Sequence, residues 1–365
     1  MRLVFDLEAN GLLEEASLIH CLVLKDIDTG EVQKFEPSKV EQGLRILMQA
    51  DEVIGHNVIG YDLALASKLY PWFTVDPTKA TDTLILSRLL FADLGDLDRA
   101  NAASEVESKL IGSHSLKAWG QRLKFPKDEY VGGWEQFSDE MLDYNARDVE
   151  VTERLHQLLI ESKGYSEKAS VLEHKVAHIV AKQERYGFPF DEEAAANLTA
   201  TLLKRKAELE IELQATFGHW TIESEFIPKV NNTKRGYVKG VPTIKKKTIV
   251  FNPGSRQHIA NRLMVLRGWK PTDFTPEGTP KVDEAILGKL PWPEAKLLTE
   301  YLMVQKRLGM LAEGDNGWTR MVRKGRIHGH VITNGAVTGR ATHAYPNIAQ
   351  VPSVKKNKEG NILMG

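Results

Sequence analysis

The sequence predicts an α/β fold over residues 1–165, followed by a mostly α-helical part. Two observations carry this. Before residue 165, short β-branched or aromatic runs alternate with stretches of helical apolar spacing. After it, two long apolar stripes open at Asp191 and Pro293 and end at Gly218 and Gly314. The charge divides the same way. Residues 1–165 hold 29 acids and 17 bases, and residues 166–365 hold 20 acids and 31 bases. An acidic part suited to metal is therefore joined to a basic part suited to a polyanion.

The elements follow in order. Leu3-Val4-Phe5 begins a buried strand, and its period of two brings Asp6 and Glu8 out on one face. Two neighbouring carboxylates repel, and a hard divalent cation offsets that repulsion. Taken alone, the pair reads equally well as surface charge at a strand end. Residues 18–24 and 31–35 form a hairpin around Asp28-Thr29-Gly30, so the first three strands share a sheet. His20, inside that apolar run, reads as a core or supporting histidine rather than a ligand. A helix over 40–50 precedes a buried strand that breaks into a loop over residues 52–57, after which Asp62 stands past the strand end, also in place to cap a helix. Thr81-Asp82 caps another helix, residues 92–112 read as an acidic loop, and Ser115 resumes a helix. Ser138 opens a helix on which Tyr144 and Asp148, four residues apart, share a face.

In the second part a helix ends at Gly187, and Asp191 caps one of about 26 residues, roughly 39 Å long. Pro293 opens its partner, and the two stripes can pair into an arm. Between them, Pro228–Val250 carries seven bases and no acid, among them Lys234, Arg235, Lys245, Lys246 and Lys247. It reads as a solvated loop or as a flexible tip that follows phosphates. With 42% hydrophobic and 27% charged residues the chain is globular, not disordered. The lone Cys21 excludes an internal disulfide and fits a reducing compartment. No charged-then-apolar leader opens the chain, and no apolar run reaches the ~18 residues of a membrane span. A cytoplasmic protein without membrane contact is expected.

Asp6-x-Glu8, then Asn57-x-x-x-Tyr61-Asp62, then Tyr144-x-x-x-Asp148 together resemble the DEDD exonuclease superfamily in its tyrosine subclass. The resemblance implies a ribonuclease H-like fold over 1–165 and two-metal phosphodiester hydrolysis, with two Mg2+ ions that Mn2+ can replace. Asp6, Glu8, Asp62 and Asp148 would be the ligands, with Asp6 bridging, Glu8 and Asp148 on the nucleophile side and Asp62 on the other. Tyr144 would orient the attacking water.

Further on, Phe251-Asn-Pro-x-Ser, Thr338-Gly339-Arg340 and Pro346-Asn347-x-x-Gln350-x-Pro352 resemble the thumb and first palm motif of family A (DNA polymerase I-like) DNA polymerases, in the branch of short-tailed phages. The implied organisation is an exonuclease over 1–165, a helical thumb over 166–315 with its basic tip at 228–250, and the start of a palm over 316–365. The implied partner is DNA, as a single-stranded 3′ end and as primer–template, with Arg340, Asn347 and Gln350 among its contacts. The implied setting is replication and proofreading in the cytoplasm of a phage's bacterial host.

Two departures from the family follow. The palm aspartates and fingers helix that carry a nucleotide site do not follow Gln350. This chain alone is therefore expected not to synthesise DNA, a palm–fingers polypeptide is its partner if the gene is split, and apolar surface should be exposed near its end. The segment from Phe217 to Phe251 leaves little room for the insertion that docks host thioredoxin in phage relatives, so no thioredoxin dependence is expected. The alternatives are a stand-alone exoribonuclease of the same superfamily, and a non-catalytic DNA-binding scaffold that completes a split polymerase. The Thr-Gly-Arg and Pro-Asn-x-x-Gln stretches favour DNA.

Overall fold

The computed structural model describes residues 1–101, 106–127, 130–352, 355–356 and 362–363, the last four by backbone alone. The chain forms two compact units, Met1–Gly187 with His328–Gly365, and Phe188–Ile327. The division thus falls at 187/188 and 327/328, not at the expected 165 and 315. The helix after residue 165 packs on the first unit, and the backbone from Phe188 onward joins the second.

In the first unit a mixed five-stranded sheet has the order β3-β2-β1-β4-β5. Its strands are β1 (Arg2–Ala9), β2 (Ile19–Asp26), β3 (Val32–Phe35), β4 (Glu52–Gly55) and β5 (Ala80–Asp82). The first three are antiparallel, while β4 and β5 run parallel to β1. The β2–β3 turn closes on Gly30, whose φ of 79° suits glycine.

The parity of β1 decides what lies on each face. Leu3, Phe5 and Leu7 join a core with Leu22, Leu24, Leu44, Leu47 and Leu65, under α1 (Val40–Met48) and α2 (Asp62–Leu69). Val4 turns the other way, to Cys21, Val23, Ile54, Met141, Leu142 and Val149. Completely burying one such side chain stabilises by about 1.5–3 kcal/mol, so a one-residue slip of β1 would forfeit both cores at once.

The next helices are α3 (Thr83–Leu90), α4 (Leu94–Ala100), α5 (Leu116–Arg122), α6 (Asp139–Glu161) and α7 (Glu167–Tyr186). α4 corrects the acidic loop expected over 92–112, of which 102–105 lie outside the described residues. Its acids do not prevent a helix because Asp98 turns inward, where Arg122 binds it at 2.8 and 3.0 Å and the Gly112 N–H donates to it. Ser138 caps α6 by accepting the Met141 N–H. Gly187, at φ 68°, ends α7.

The second unit begins with β6 (Phe188–Pro189) and α8 (Glu192–Phe217), whose cap Asp191 accepts the Ala194 N–H. The strands β7 (His219–Phe226) and β8 (Thr243–Val250) pair antiparallel throughout. Of the stretch 228–250 expected to be a loop or flexible tip, 243–250 is therefore strand, while 228–242 is the connection between the two strands. β-branched residues at Thr243, Ile244, Thr248, Ile249 and Val250 favour the strand despite the three lysines between them. There follow α9 (Arg256–Arg267), α10 (Glu284–Leu287), α11 (Pro293–Leu308), β9 (Val322–Arg323) and β10 (Arg326–Ile327). α8 and α11 pair as their stripes imply. Leu202, Leu209, Leu213 and Phe217 share one core with Leu298, Tyr301, Leu302 and Leu308. Arg205 bonds Glu300 at 2.7 and 2.9 Å across the pair.

The chain then returns to the first unit as a hairpin of β11 (His330–Ile332) and β12 (Thr342–Ala344). Thr338-Gly339-Arg340 lies in its turn, with Gly339 at φ 73°. Asn347 caps the short helical turn at Ile348–Gln350. Val337, Tyr345 and Val351 are more than half exposed here.

Candidate active site

Asp6 and Glu8 share the parity of Val4 and therefore face α6. That helix turns Asn145 and Asp148 inward, three residues apart. The result is a partly buried group in which Asp6, Glu8 and Asp148 each bring a carboxylate oxygen within 4.8 Å of the others. Asn145 donates to Asp6 Oδ2 at 3.0 Å.

Asp62 arrives by another route. β4 pairs with β1 only as far as Val4↔Ile54. Asp62 is the first residue of α2, and its cap is Tyr61, so the expected capping role is corrected. Its carboxylate lies outside the 4.8 Å group, yet its charge acts on Asp6 and Glu8.

The loop that delivers Asp62 is held by Asp82. Its buried carboxylate accepts the N–H groups of Asn57 (2.8 Å), Ile59 (3.1 Å) and Leu84 (3.0 Å). His174 Nε2 accepts the Asp82 N–H at 2.7 Å. Gly55 is required where the loop begins, since a Cβ there would stand 2.1 Å from Val58 Cγ1.

The electrostatics are those of crowded, desolvated acids. Burial, then Asp148 and Asp62, push the Glu8 carboxyl to about 8. Burial takes Asp62 to about 8. Asp6 is raised well above its ordinary range by burial, then Glu8, Asp62 and Asp148. Asp148 is raised by burial although Lys127 opposes the shift. Lys127 donates to Asp148 Oδ2 at 2.5 Å and to the Tyr144 hydroxyl at 2.7 Å. Its ammonium also stands 4.4 Å from the Tyr144 ring centre.

Cys21 is buried, and burial pushes its thiol far up, so it is no nucleophile. His20 is buried, with Nε2 2.9 Å from the Trp134 carbonyl oxygen. The β1–β2 register slips between Glu8 and Ala9, so His20 is the extra residue of a bulge beside the site.

The donor set suits a hard cation. Three carboxylates converge, and Asp148 Oδ1 is buried with no hydrogen-bond partner. The other sequence candidates are not members of this group. Arg340 and Gln350 are exposed in the 328–352 segment, and Asn347 caps the turn there. Lys234 and Arg235 occupy a helical turn, and Lys245, Lys246 and Lys247 lie on β8, where Lys246 pairs with Glu223 at 2.8 Å.

Sequence reasoning missed Lys127, Asn145 and Asp82 as parts of the site. Asn145 was within reach, since it precedes Asp148 by three on the same helix. Lys127 sits in irregular chain before α6, where no periodicity marks it.

Fold and site define a mixed α/β protein with a partly buried carboxylate centre, joined to a helical unit. No family model matches the chain. It is 36% identical to the DNA-directed DNA polymerases of Enterobacteria phage T3 and Escherichia phage T7 over 97% of its length, covering 63% of each. It is 26% identical to DNA polymerase I of Aquifex aeolicus over 93% of its length, covering 52%. Among solved structures, the POL domain of Pol1 from M. smegmatis, in complex with DNA primer-template and dNTP, shares the fold at a TM-score of 0.61 and 14% identity. That match covers 98% of this chain and 53% of the neighbour. The chain belongs to the family A, DNA polymerase I-like, DNA polymerases. It spans about two-thirds to half of the length of these relatives. No described helix is long and apolar enough to cross a membrane.

Proposed function

We propose that residues 1–165 form a ribonuclease H-like 3′→5′ exonuclease that trims the DNA strand end in a replicative DNA polymerase. The observation that carries this reading is the convergence of Asp6, Glu8 and Asp148 within 4.8 Å on one face of the sheet. The sheet order and the position of Asp62 at the head of α2 support it.

Asp6, Glu8 and Asp148, with Asp62 beside them, would hold divalent ions, two Mg2+ on this reading. Such ions supply Lewis acidity to water and charge stabilisation to a departing 3′ oxygen. The chain's own groups do the positioning. Asn145 fixes the rotamer of Asp6. The Tyr144 oxygen accepts from Lys127 and so keeps its own O–H to direct a water. Tyr130 and Trp134 pack around Tyr144 with ring centres 5.8 and 6.3 Å away, an aromatic surface for unpaired bases. In the hydrolysis, water adds to phosphorus, the bond to the 3′ oxygen breaks, that oxygen takes a proton, and a 5′-mononucleotide leaves.

The basic hairpin and α8–α11 would form the thumb, and Arg340, Asn347 and Gln350 would touch primer–template. Nucleotidyl transfer belongs to the proposal for the protein as a whole. The test is release of labelled mononucleotides from 3′-labelled single-stranded DNA in Mg2+. Asp6→Ala and Asp148→Ala are expected to abolish it, and undiminished cleavage by either variant rejects the site. Single-stranded RNA of the same sequence separates a deoxyribonuclease from an exoribonuclease.

A further inference from the structure

Lys127 is the cation of this centre, and the reading above uses it only as a donor to the Tyr144 oxygen. Its side chain is 11% exposed and that of Asp148 8%. A buried ammonium is costly unless closely partnered, and this one has two partners one helical turn apart, Asp148 and Tyr144. It engages only Oδ2 of Asp148 and leaves Oδ1 buried without a partner. The contact therefore takes up part of the acids' charge and leaves ligand capacity in the same carboxylate.

We propose that Lys127 is a built-in counter-ion of the carboxylate centre, a positioning residue that clamps Tyr144 to Asp148 and competes with divalent cations for the acids. Its catalytic arm rests on the exonuclease reading, while its metal-competition arm does not. A lysine serving only to hold the fold would lower stability on removal and leave metal affinity unchanged or weaker. A counter-ion makes the opposite prediction, because removing a unit positive charge a few ångströms from the ligands strengthens their hold on another cation.

The experiment compares the 365-residue chain with its Lys127→Met and Lys127→Arg variants in two assays. Mn2+ binding is followed by the loss of the free-ion electron paramagnetic resonance signal, and turnover of single-stranded DNA is measured at saturating Mg2+. Lys127→Met is expected to bind Mn2+ about tenfold more tightly while kcat falls by about tenfold or more and KM for DNA stays near that of the unmodified chain. Lys127→Arg keeps the charge, so its Mn2+ affinity stays within about twofold. Its larger, forked head fits the paired contacts less well, so kcat is intermediate. Unchanged or weaker Mn2+ binding in Lys127→Met overturns the proposal, as does an unchanged kcat. If Lys127→Met does not fold, Lys127→Gln takes its place with the same expectations. If the unmodified chain releases no nucleotides, the exonuclease reading fails, and the Mn2+ arm still decides whether Lys127 is a counter-ion.

Discussion

Removing one charge from the centre should stabilise the metal-free protein, and only at alkaline pH. Glu8 is the clearest case, since the fold lifts its carboxyl from 4.5 to about 8. A folded-state value above the unfolded one means that the folded chain holds the proton more tightly. The benefit is complete below about 4.5 and is lost as pH rises through about 8. Linkage across that window makes the folded state weaker at pH 8 than at pH 5 by roughly 3–4 kcal/mol if Glu8 titrates alone. Neighbouring acids share this strain, and a buried glutamine has its own desolvation cost, so Glu8→Gln should recover about 2 kcal/mol at pH 8. For a unit of this size that is roughly 4–8 °C of melting temperature. The assay is thermal denaturation in chelator at pH 5 and pH 8. The expected result is a gain at pH 8, little change at pH 5, and loss of the advantage when Mg2+ is added to both proteins. Equal effects at the two pH values would refute the argument from charge crowding.

Asp82→Ala should cost about 3–4 kcal/mol in urea denaturation, since three N–H groups lose a charged acceptor, one of them at a helix cap. The variant should also bind Mn2+ more weakly, because the loop that delivers Asp62 is released, and Asp82→Asn should recover part of both losses. Arg340→Ala should leave the melting temperature within about 1 °C, as the side chain is exposed, and weaken duplex primer–template binding by about 1–3 kcal/mol in fluorescence anisotropy. Replacing Lys245, Lys246 and Lys247 together with glutamine should weaken binding of every DNA sequence alike. It should also lower the slope of log affinity against log salt by up to about 3, and an unchanged slope would remove β8 from the DNA interface.

The residues that could be read from the sequence are those whose geometry is set by a local period. Asp6 and Glu8 had to emerge together from β1 because a strand alternates. Tyr144 and Asp148 had to share a face because a helix repeats every 3.6 residues. Caps at Ser138, Asp82 and Asp191 were legible for the same reason, since a short polar side chain ahead of an apolar stripe has few other uses. The acidic stretch 92–112 misled because composition stood in for packing. Asp98 faces Arg122 instead of water, which no local pattern announces. The end of the basic stretch, 243–250, misled in the converse way, because ladder pairing over eight residue pairs holds a strand that its lysines disguise.

The same distinction explains why half of the centre was invisible. A cluster of partly buried acids works against folding, so the fold has to supply opposing groups from wherever the chain passes close by. Two of those groups, Lys127 and Asn145, bring a positive charge and an amide donor to the acids. A third, Asp82, holds the loop that sets Asp62 in place by gathering its backbone N–H groups. Lys127 reaches the site from a loop 21 residues before Asp148. Asp82 works through the backbone from the end of β5, and His174 backs it from a helix 92 residues away. The acids announce a metal centre because their repulsion has few other remedies. Their supports are ordinary residues until the fold brings them together. Variants of Lys127, Asn145 and Asp82 should therefore tune metal affinity, water placement and loop position separately, whereas loss of Asp6 or Asp148 removes the ligands themselves.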